Sequence, residues 1–239
     1  PVVGTLAFED LWPSQGDYDM NDVVVGYSTT FTVDKDNRIV AIRDVVTPLH
    51  SGGKLRSAFG YQLDIPVTAV KGVKIENGSS TAGLEKNQDK AVVILFDDIE
   101  QAVARGPVSV EIELDGSLSM DKVTRKSLYN PFICVSDKGF VPGAVRKEIH
   151  LTNYPPTSLA DPYPFGRNDD KSSLDKAGNP IGPYYYATSE LYPFAIDLPV
   201  TDYRIPDEMV KIDVFYPDFA GWVKSRGEKH KEWYKNSVK

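Results

Sequence analysis

The sequence predicts an all-β protein: a β-sandwich, jelly-roll-like, with long irregular loops and a short C-terminal helix. Three observations carry this prediction. Apolar and polar residues alternate in several segments separated by turn residues. The 17 prolines, 18 glycines and 13 tyrosines favour strands joined by turns over long helices. A length of 239 residues is within the range that sandwiches reach as one domain, so we expect residues 1–239 to form a single domain.

The individual strands follow from the spacing of apolar residues. Residues 108–114 alternate strictly between apolar and polar side chains, which is typical of a strand buried on one face. Residues 90–96 are almost continuously apolar, which predicts a strand covered on both faces. Further strands are predicted where alternation or short apolar runs recur, at residues 23–33, 39–46, 59–65, 70–75, 131–135 and 192–199.

The last third of the chain departs from this pattern. Residues 150–190 are rich in proline and tyrosine and predict a long irregular excursion, which its aromatic content should hold against the body of the protein. Residues 217–226 predict a short helix in which Phe219, Trp222 and Val223 share one face, and Gly227 is a plausible stop.

Composition excludes several classes of function. A net charge of −7 argues against nucleic acid and anionic membrane surfaces as partners. No apolar run approaches the roughly 18 residues of a membrane span. The one cysteine, Cys134, rules out an internal disulfide and is expected to be a buried, inert thiol. Because the chain starts at Pro1 without an initiator methionine, we expect a targeting segment to be missing.

An acidic run at residues 17–22 is the strongest functional signal. Asp17, Asp19, Asn21 and Asp22 follow the segment 8–13 and precede an apolar stretch. Oxygen side chains on alternate residues can converge on one hard cation, and Ca²⁺ accepts six to eight oxygens in loose geometry. The run therefore predicts a calcium site on a loop that leads into a strand.

The run is not an EF-hand loop. With Asp17 as the first ligand, Asp22 occupies the position that requires glycine and Ser28 the position that requires glutamate. The alternative is a polar turn in which Asp and Asn side chains cap their own backbone.

The sequence resembles the LruC-domain proteins, which are surface lipoproteins and secreted proteins of Gram-negative bacteria. The resemblance rests on residues 8–13 and 16–24, and it continues in order along nearly the whole chain, at residues 147–151, 154–157, 165–170, 192–196 and 216–222. It implies an extracytoplasmic β-rich domain at the bacterial cell surface, as an outer-membrane lipoprotein, or a secreted one. It also makes six residues the first candidate metal ligands: Glu9, Asp10, Asp17, Asp19, Asn21 and Asp22. The tryptophan and proline of the opening motif, Trp12 and Pro13, are expected to lock the loop.

Two other polar features are less specific. Asp169 and Asp170, in the long excursion, could add oxygens to the same ion, form a separate site, or be a solvated turn. His150 is expected to be hydrogen-bonded within the structure, because no cysteine or second histidine is spaced for a zinc site.

Three functions remain open from the sequence. We favour a calcium-stabilised surface module that binds a glycan or a protein, because the aromatic-rich excursion offers a binding platform. A purely structural domain of a larger surface assembly is the alternative. A glycosidase using two carboxylates, for example Glu9 with Asp169 or Asp170, is the third; clustered acids resemble cation ligands more than an acid and a base in different environments. We therefore expect no enzymatic activity.

Overall fold

A computed structural model describes residues 1–239 and contains eleven strands in two antiparallel sheets. The strands are β1 (Val2–Phe8), β2 (Val23–Val33), β3 (Ile39–Ser51), β4 (Arg56–Pro66), β5 (Val70–Glu76), β6 (Gly83–Leu84), β7 (Lys90–Phe96), β8 (Val108–Leu114), β9 (Tyr129–Ser136), β10 (Glu148–His150) and β11 (Ala195–Leu198). Four short helices accompany them: α1 (Ile99–Arg105), α2 (Arg125–Leu128), α3 (Ile212–Phe215) and α4 (Phe219–Lys224). None of these helices has the length and apolar character needed to cross a membrane.

The two sheets form a sandwich, as the sequence predicts. The first sheet has six strands in the order β11-β1-β2-β3-β8-β5, and the second has five in the order β10-β9-β4-β7-β6. One apolar core of 34 buried residues is built from the facing sides of both sheets. The sheets do not close into a barrel, since β11, β5, β10 and β6 remain as edge strands.

The period-two pattern explains how individual strands are placed. In β8 the apolar residues are buried and the intervening glutamates are exposed. In β7 every residue after Lys90 is buried. Val93 and Leu95 face the main core, whereas Val92 and Ile94 face a small cluster on the outer side of the second sheet, which also buries Cys134.

A second apolar cluster covers the outer face of the first sheet. Thirteen buried residues form it, drawn from β1, β2, β11, the loop that follows β1 and the C-terminal segment. Phe219 and Val223 of α4 are buried in it and Trp222 packs against it, and Gly227 ends the turn after the helix with a positive φ of 81°. The C-terminal helix is thus confirmed, at 219–224.

The excursion after β10 is irregular throughout, yet it is tied to the second sheet. The Glu148 carboxylate of β10 accepts hydrogen bonds from Arg146 Nε at 2.6 Å, Thr157 Oγ1 at 2.6 Å and Thr157 N at 2.9 Å. His150 bridges Glu148 and the Asn130 side chain, so it has the internal hydrogen-bonding role expected from the sequence. Phe165 and Tyr186 of the excursion are buried in the main core.

Candidate metal centre

The acidic residues lie on a loop whose two ends are held together by the first sheet. β1 and β2 pair antiparallel, with Phe8 opposite Val23. Glu9 and Asp22, the next residues on either side, are therefore neighbours, and residues 10–21 form a closed loop between them. This pairing brings acids that are eight to ten residues apart in sequence, Glu9 with Asp17 and Asp19, close together.

The loop sorts its side chains into an apolar and an acidic set. Tyr18 and Met20 adopt the left-handed conformation, with φ of 52° and 53°, which is uncommon for residues other than glycine. Their side chains are buried in the second apolar cluster. Asp17 and Asp19 alternate with these two residues in sequence, and their carboxylates lie on the opposite side, close to Glu9.

Three carboxylates converge at the centre of the loop. One oxygen each of Glu9, Asp17 and Asp19 lies within 4.8 Å of the others. Glu9 and Asp19 are fully buried, and neither residue forms an ion pair. Asp10, Asn21 and Asp22 are also buried, at 1 to 5% exposure.

Several hydrogen bonds fix these side chains in place. Glu9 Oε1 accepts from the backbone N–H of Met20 at 3.1 Å, and Asp22 Oδ2 accepts from that of Asp10 at 2.8 Å. Asp19 Oδ2 accepts from the N–H of Met209 at 3.0 Å. The Asn21 amide donates to the Pro206 carbonyl oxygen at 3.0 Å.

Three oxygen atoms of this loop accept no hydrogen bond from a donor group. Glu9 Oε2, Asp19 Oδ1 and Asn21 Oδ1 are buried and accept no hydrogen bond. A buried polar atom without a partner costs about 1–3 kcal/mol, and more if it is charged. These three acceptors can be satisfied by a proton, a water molecule or a cation.

The electrostatics of the loop point to the same need. Burial raises the pKa of Glu9 to about 11, and the negative charges of Asp22 and Asp19 add to the shift. Burial and the charge of Asp10 raise the pKa of Asp22 to about 7. Burial also raises the pKa of Asp10, although the nearby Lys147 opposes the rise. Protons or a cation must therefore neutralise part of this charge.

The side chains fit Ca²⁺ in type and spacing. All the available ligand atoms are oxygens, and no histidine or cysteine belongs to the group. Oxygens that share one Ca²⁺ at about 2.4 Å can be at most about 5 Å apart. The 4.8 Å limit on Glu9, Asp17 and Asp19 satisfies this condition.

Asp169 and Asp170 do not belong to the group of converging carboxylates. The buried Asp170 side chain accepts hydrogen bonds from Trp12 Nε1 at 3.0 Å, Gly166 N at 2.8 Å and Ser172 Oγ at 3.0 Å. Asp169 Oδ2 accepts from the N–H of Gln15 at 2.8 Å. Both residues thus fasten the excursion to the start of the loop formed by residues 10–21.

Trp12 has the locking role expected of it. Its side chain is fully buried, and its ring lies 4.8 Å from the rings of both Phe165 and Tyr186. Together with its bond to Asp170, this packing anchors the loop to the excursion.

Two contributors to the site escaped sequence reasoning. The first is the pair Gly52 and Gly53 after β3, where a Cβ atom would overlap the Asn21 side chain and the Asp10 carboxylate respectively. The sequence marks these glycines only as a turn. The second is the segment 206–209, whose backbone hydrogen-bonds to Asn21 and Asp19. Partial burial, and then the nearby charges of Asp19, Asp17 and Asp22, raise the pKa of Glu208 in this segment.

Comparison with known proteins supports the fold and gives a family. A search of curated proteins gave no match. Among solved structures, the chain is similar to the crystal structure of a "Putative lipoprotein from Bacteroides ovatus", with a TM-score of 0.68 and 19% sequence identity over 99% of this chain and 74% of that one. At this identity the similarity establishes the fold alone. The resemblance to the LruC-domain proteins is not confirmed by these matches. A family model described as "Domain of unknown function (DUF4842)" matches residues 37–234, more than half of the chain, and the protein therefore belongs to that family.

Proposed function

We propose that this protein is a calcium-binding β-sandwich module of a bacterial surface or secreted protein, with a role in binding a glycan or a protein outside the cytoplasm. The observation that carries the calcium proposal is the set of three buried, unpartnered oxygens of Glu9, Asp19 and Asn21. They lie in a loop where carboxylates converge within the span of one ion's ligand shell.

The proposed ion would connect distant parts of the chain. Glu9 and Asp17 come from the loop between β1 and β2, while Asp19 also binds the C-terminal segment through the N–H of Met209. An ion bound only in the folded state stabilises it by mass action. Calcium would thus hold the second apolar cluster closed over the first sheet.

The surface location is supported by two similarities. The fold resembles that of the Bacteroides ovatus protein, whose description reads "Putative lipoprotein". The opening motif resembles that of surface and secreted LruC-domain proteins. An extracellular location would also supply the millimolar calcium at which weak oxygen sites are filled.

A glycosidase is less well supported than a binding module. Asp170, one proposed partner of Glu9, already accepts hydrogen bonds from Trp12, Gly166 and Ser172. A general acid or base needs an oxygen free to face substrate. The binding role is preferred to a purely structural one because a cavity of about 510 Å³ lies where the excursion meets β11 and α4.

Thermal unfolding in calcium and in chelator tests the calcium proposal. At a hundredfold excess over Kd, an ion that binds only the folded state adds about 2.7 kcal/mol, which should raise Tm by roughly 5 to 10 °C. Asp19→Ala should abolish this increase. Asp36→Ala is the matched control, since it removes an equal charge from an exposed turn between β2 and β3. Equal Tm values in calcium and chelator, with no heat on titrating metal-stripped protein, would refute the proposal.

A further inference from the structure

A cavity of about 510 Å³ lies on the side of the molecule where the excursion meets β11 and α4. This volume is within the range of small-molecule sites, about 300–1,000 Å³. Its walls combine residues 151–153, 184 and 187–189 of the excursion with Ile196 of β11 and Trp222 of α4. The cavity is thus built from the most irregular part of the chain on a rigid sheet edge.

The lining offers both aromatic side chains and side chains that can hydrogen-bond to hydroxyl groups. Trp222 is half-buried, and Tyr184 is 55% exposed. Thr152, Asn153 and Thr188 add hydroxyl and amide groups to the same walls. Each makes one hydrogen bond to the backbone of the excursion or of Tyr192, which leaves the Asn153 NH₂ group and the Thr188 O–H as donors for a ligand. Aromatic faces with polar side chains beside them suit a ligand that has an apolar ring face and many hydroxyls.

Positive charge dominates this cavity although the whole chain is acidic. Lys171 and Arg226 both line it and neither forms an ion pair. The one carboxylate in the lining, Asp197, accepts a hydrogen bond from Tyr27 Oη at 2.6 Å. Two unpaired cations against one engaged carboxylate favour an anionic ligand.

We propose that this cavity binds an acidic saccharide, with the sugar carboxylate held by Lys171 and Arg226 and a sugar ring lying against Tyr184. The proposal rests on the proposed binding role and names its ligand class. A saccharide is favoured over an acidic peptide because hydroxyl and amide side chains lie beside the exposed Tyr184 ring in the walls. The free edge of β11 also lines the cavity and could pair with a peptide backbone, so an acidic peptide is included among the probes as the competing occupant.

Calorimetric titration of the full chain in millimolar calcium tests the proposal. The probes are trigalacturonate, the neutral sugar galactotriose, and a tetraglutamate peptide of similar size. Trigalacturonate should bind, and galactotriose should bind at least about fivefold more weakly because it lacks the carboxylates. Increasing the salt concentration should weaken the binding of trigalacturonate but not that of galactotriose.

Variants then assign the binding to this cavity. Lys171→Gln and Arg226→Gln should each weaken trigalacturonate binding by about fivefold, and Tyr184→Ala should weaken both sugars. Lys35→Gln, in the turn between β2 and β3, removes the same charge elsewhere and should change nothing. All four residues are exposed, so the variants should keep the wild-type Tm.

Several results would overturn this inference. They are equal affinity for the acidic and neutral sugars, equal affinity for tetraglutamate, unchanged binding in Lys171→Gln and Arg226→Gln, and no sugar binding by protein that is loaded with calcium. The last result would leave the calcium proposal standing, because the calcium-dependent rise in Tm is measured separately.

Discussion

Substitution of Gly52 by alanine tests whether the Gly52–Gly53 turn fixes the position of Asn21 in the loop formed by residues 10–21. Gly52 follows β3, and its N–H donates to the Asp22 carbonyl oxygen at 3.0 Å. A Cβ atom at this position would lie 2.7 Å from the Asn21 backbone oxygen and would overlap the Asn21 side-chain oxygen. Gly52 does not have a left-handed φ, so the cost of the substitution is steric.

The expected magnitude follows from these contacts. Cβ atoms essentially never approach other atoms within 3.0 Å, so Asn21 must shift by several tenths of an ångström. Such overpacking costs about 1–3 kcal/mol, or roughly 2 to 12 °C in Tm. Because Asn21 Oδ1 is one of the unpartnered oxygens, its displacement should also weaken calcium binding by about 10- to 100-fold.

The assay is calorimetric titration of metal-stripped protein with calcium, together with thermal unfolding. Gly72→Ala is the matched control, because nothing lies within 4 Å of a Cβ atom at Gly72 in β5. That variant should bind calcium like the wild type. Wild-type calcium affinity in Gly52→Ala, despite a lowered Tm, would refute the reasoning that places Asn21 in the site.

Three further predictions concern how the excursion is attached. Arg146→Leu removes the cation that pairs with the buried carboxylates of Glu85 and Glu148, and it should lower the free energy of unfolding by about 3–5 kcal/mol. Lys90→Leu breaks an exposed ion pair of similar length and should lower it by under about 1 kcal/mol. Urea unfolding measures both values. Burial would raise the pKa of Glu148, but hydrogen bonds from its neighbours hold the pKa at about 2. Because the folded pKa lies below the unfolded value, this stabilisation is present above about pH 4.5 and is lost as pH falls towards 2. The difference in unfolding free energy between wild type and Glu148→Gln should therefore shrink over that range. A constant difference would contradict the reasoning. Trp12→Phe leaves Asp170 Oδ1 short of one donor and should cost about 1–3 kcal/mol, and an unchanged urea midpoint would show that this bond does not anchor the loop.

The strands and the acidic loop could be read from the sequence because both are local patterns. Alternation over residues 108–114 and the apolar run at residues 90–96 each predict one strand and the faces that it buries. By contrast, β1 was missed, since residues 2–8 lack clear alternation: the strand is covered on both faces by the two apolar clusters. The seven-residue helix α1 was missed because it is too short to show a helical period.

The parts of the site that escaped prediction depend on contacts between distant segments. Trp12 and Asp170 are 158 residues apart, and the sequence could not show that this aspartate satisfies an indole N–H. Nor could it show that Met209 closes on Asp19, since the contact uses a backbone N–H that any residue except proline would supply. Gly52 and Gly53 indicate a turn in the sequence, but their close approach to Asn21 and Asp10 arises only because the end of β3 lies beside the loop formed by residues 10–21.

The most direct test of the calcium claim is anomalous scattering from crystals grown with calcium. We expect one anomalous peak among Glu9, Asp17 and Asp19, with carboxylate oxygens at about 2.3–2.6 Å from the ion. Calcium content of about one ion per chain should accompany the peak. A loop of the same conformation with no anomalous peak, and with the buried oxygens of Glu9 and Asp19 bonded only to water or protons, would contradict it.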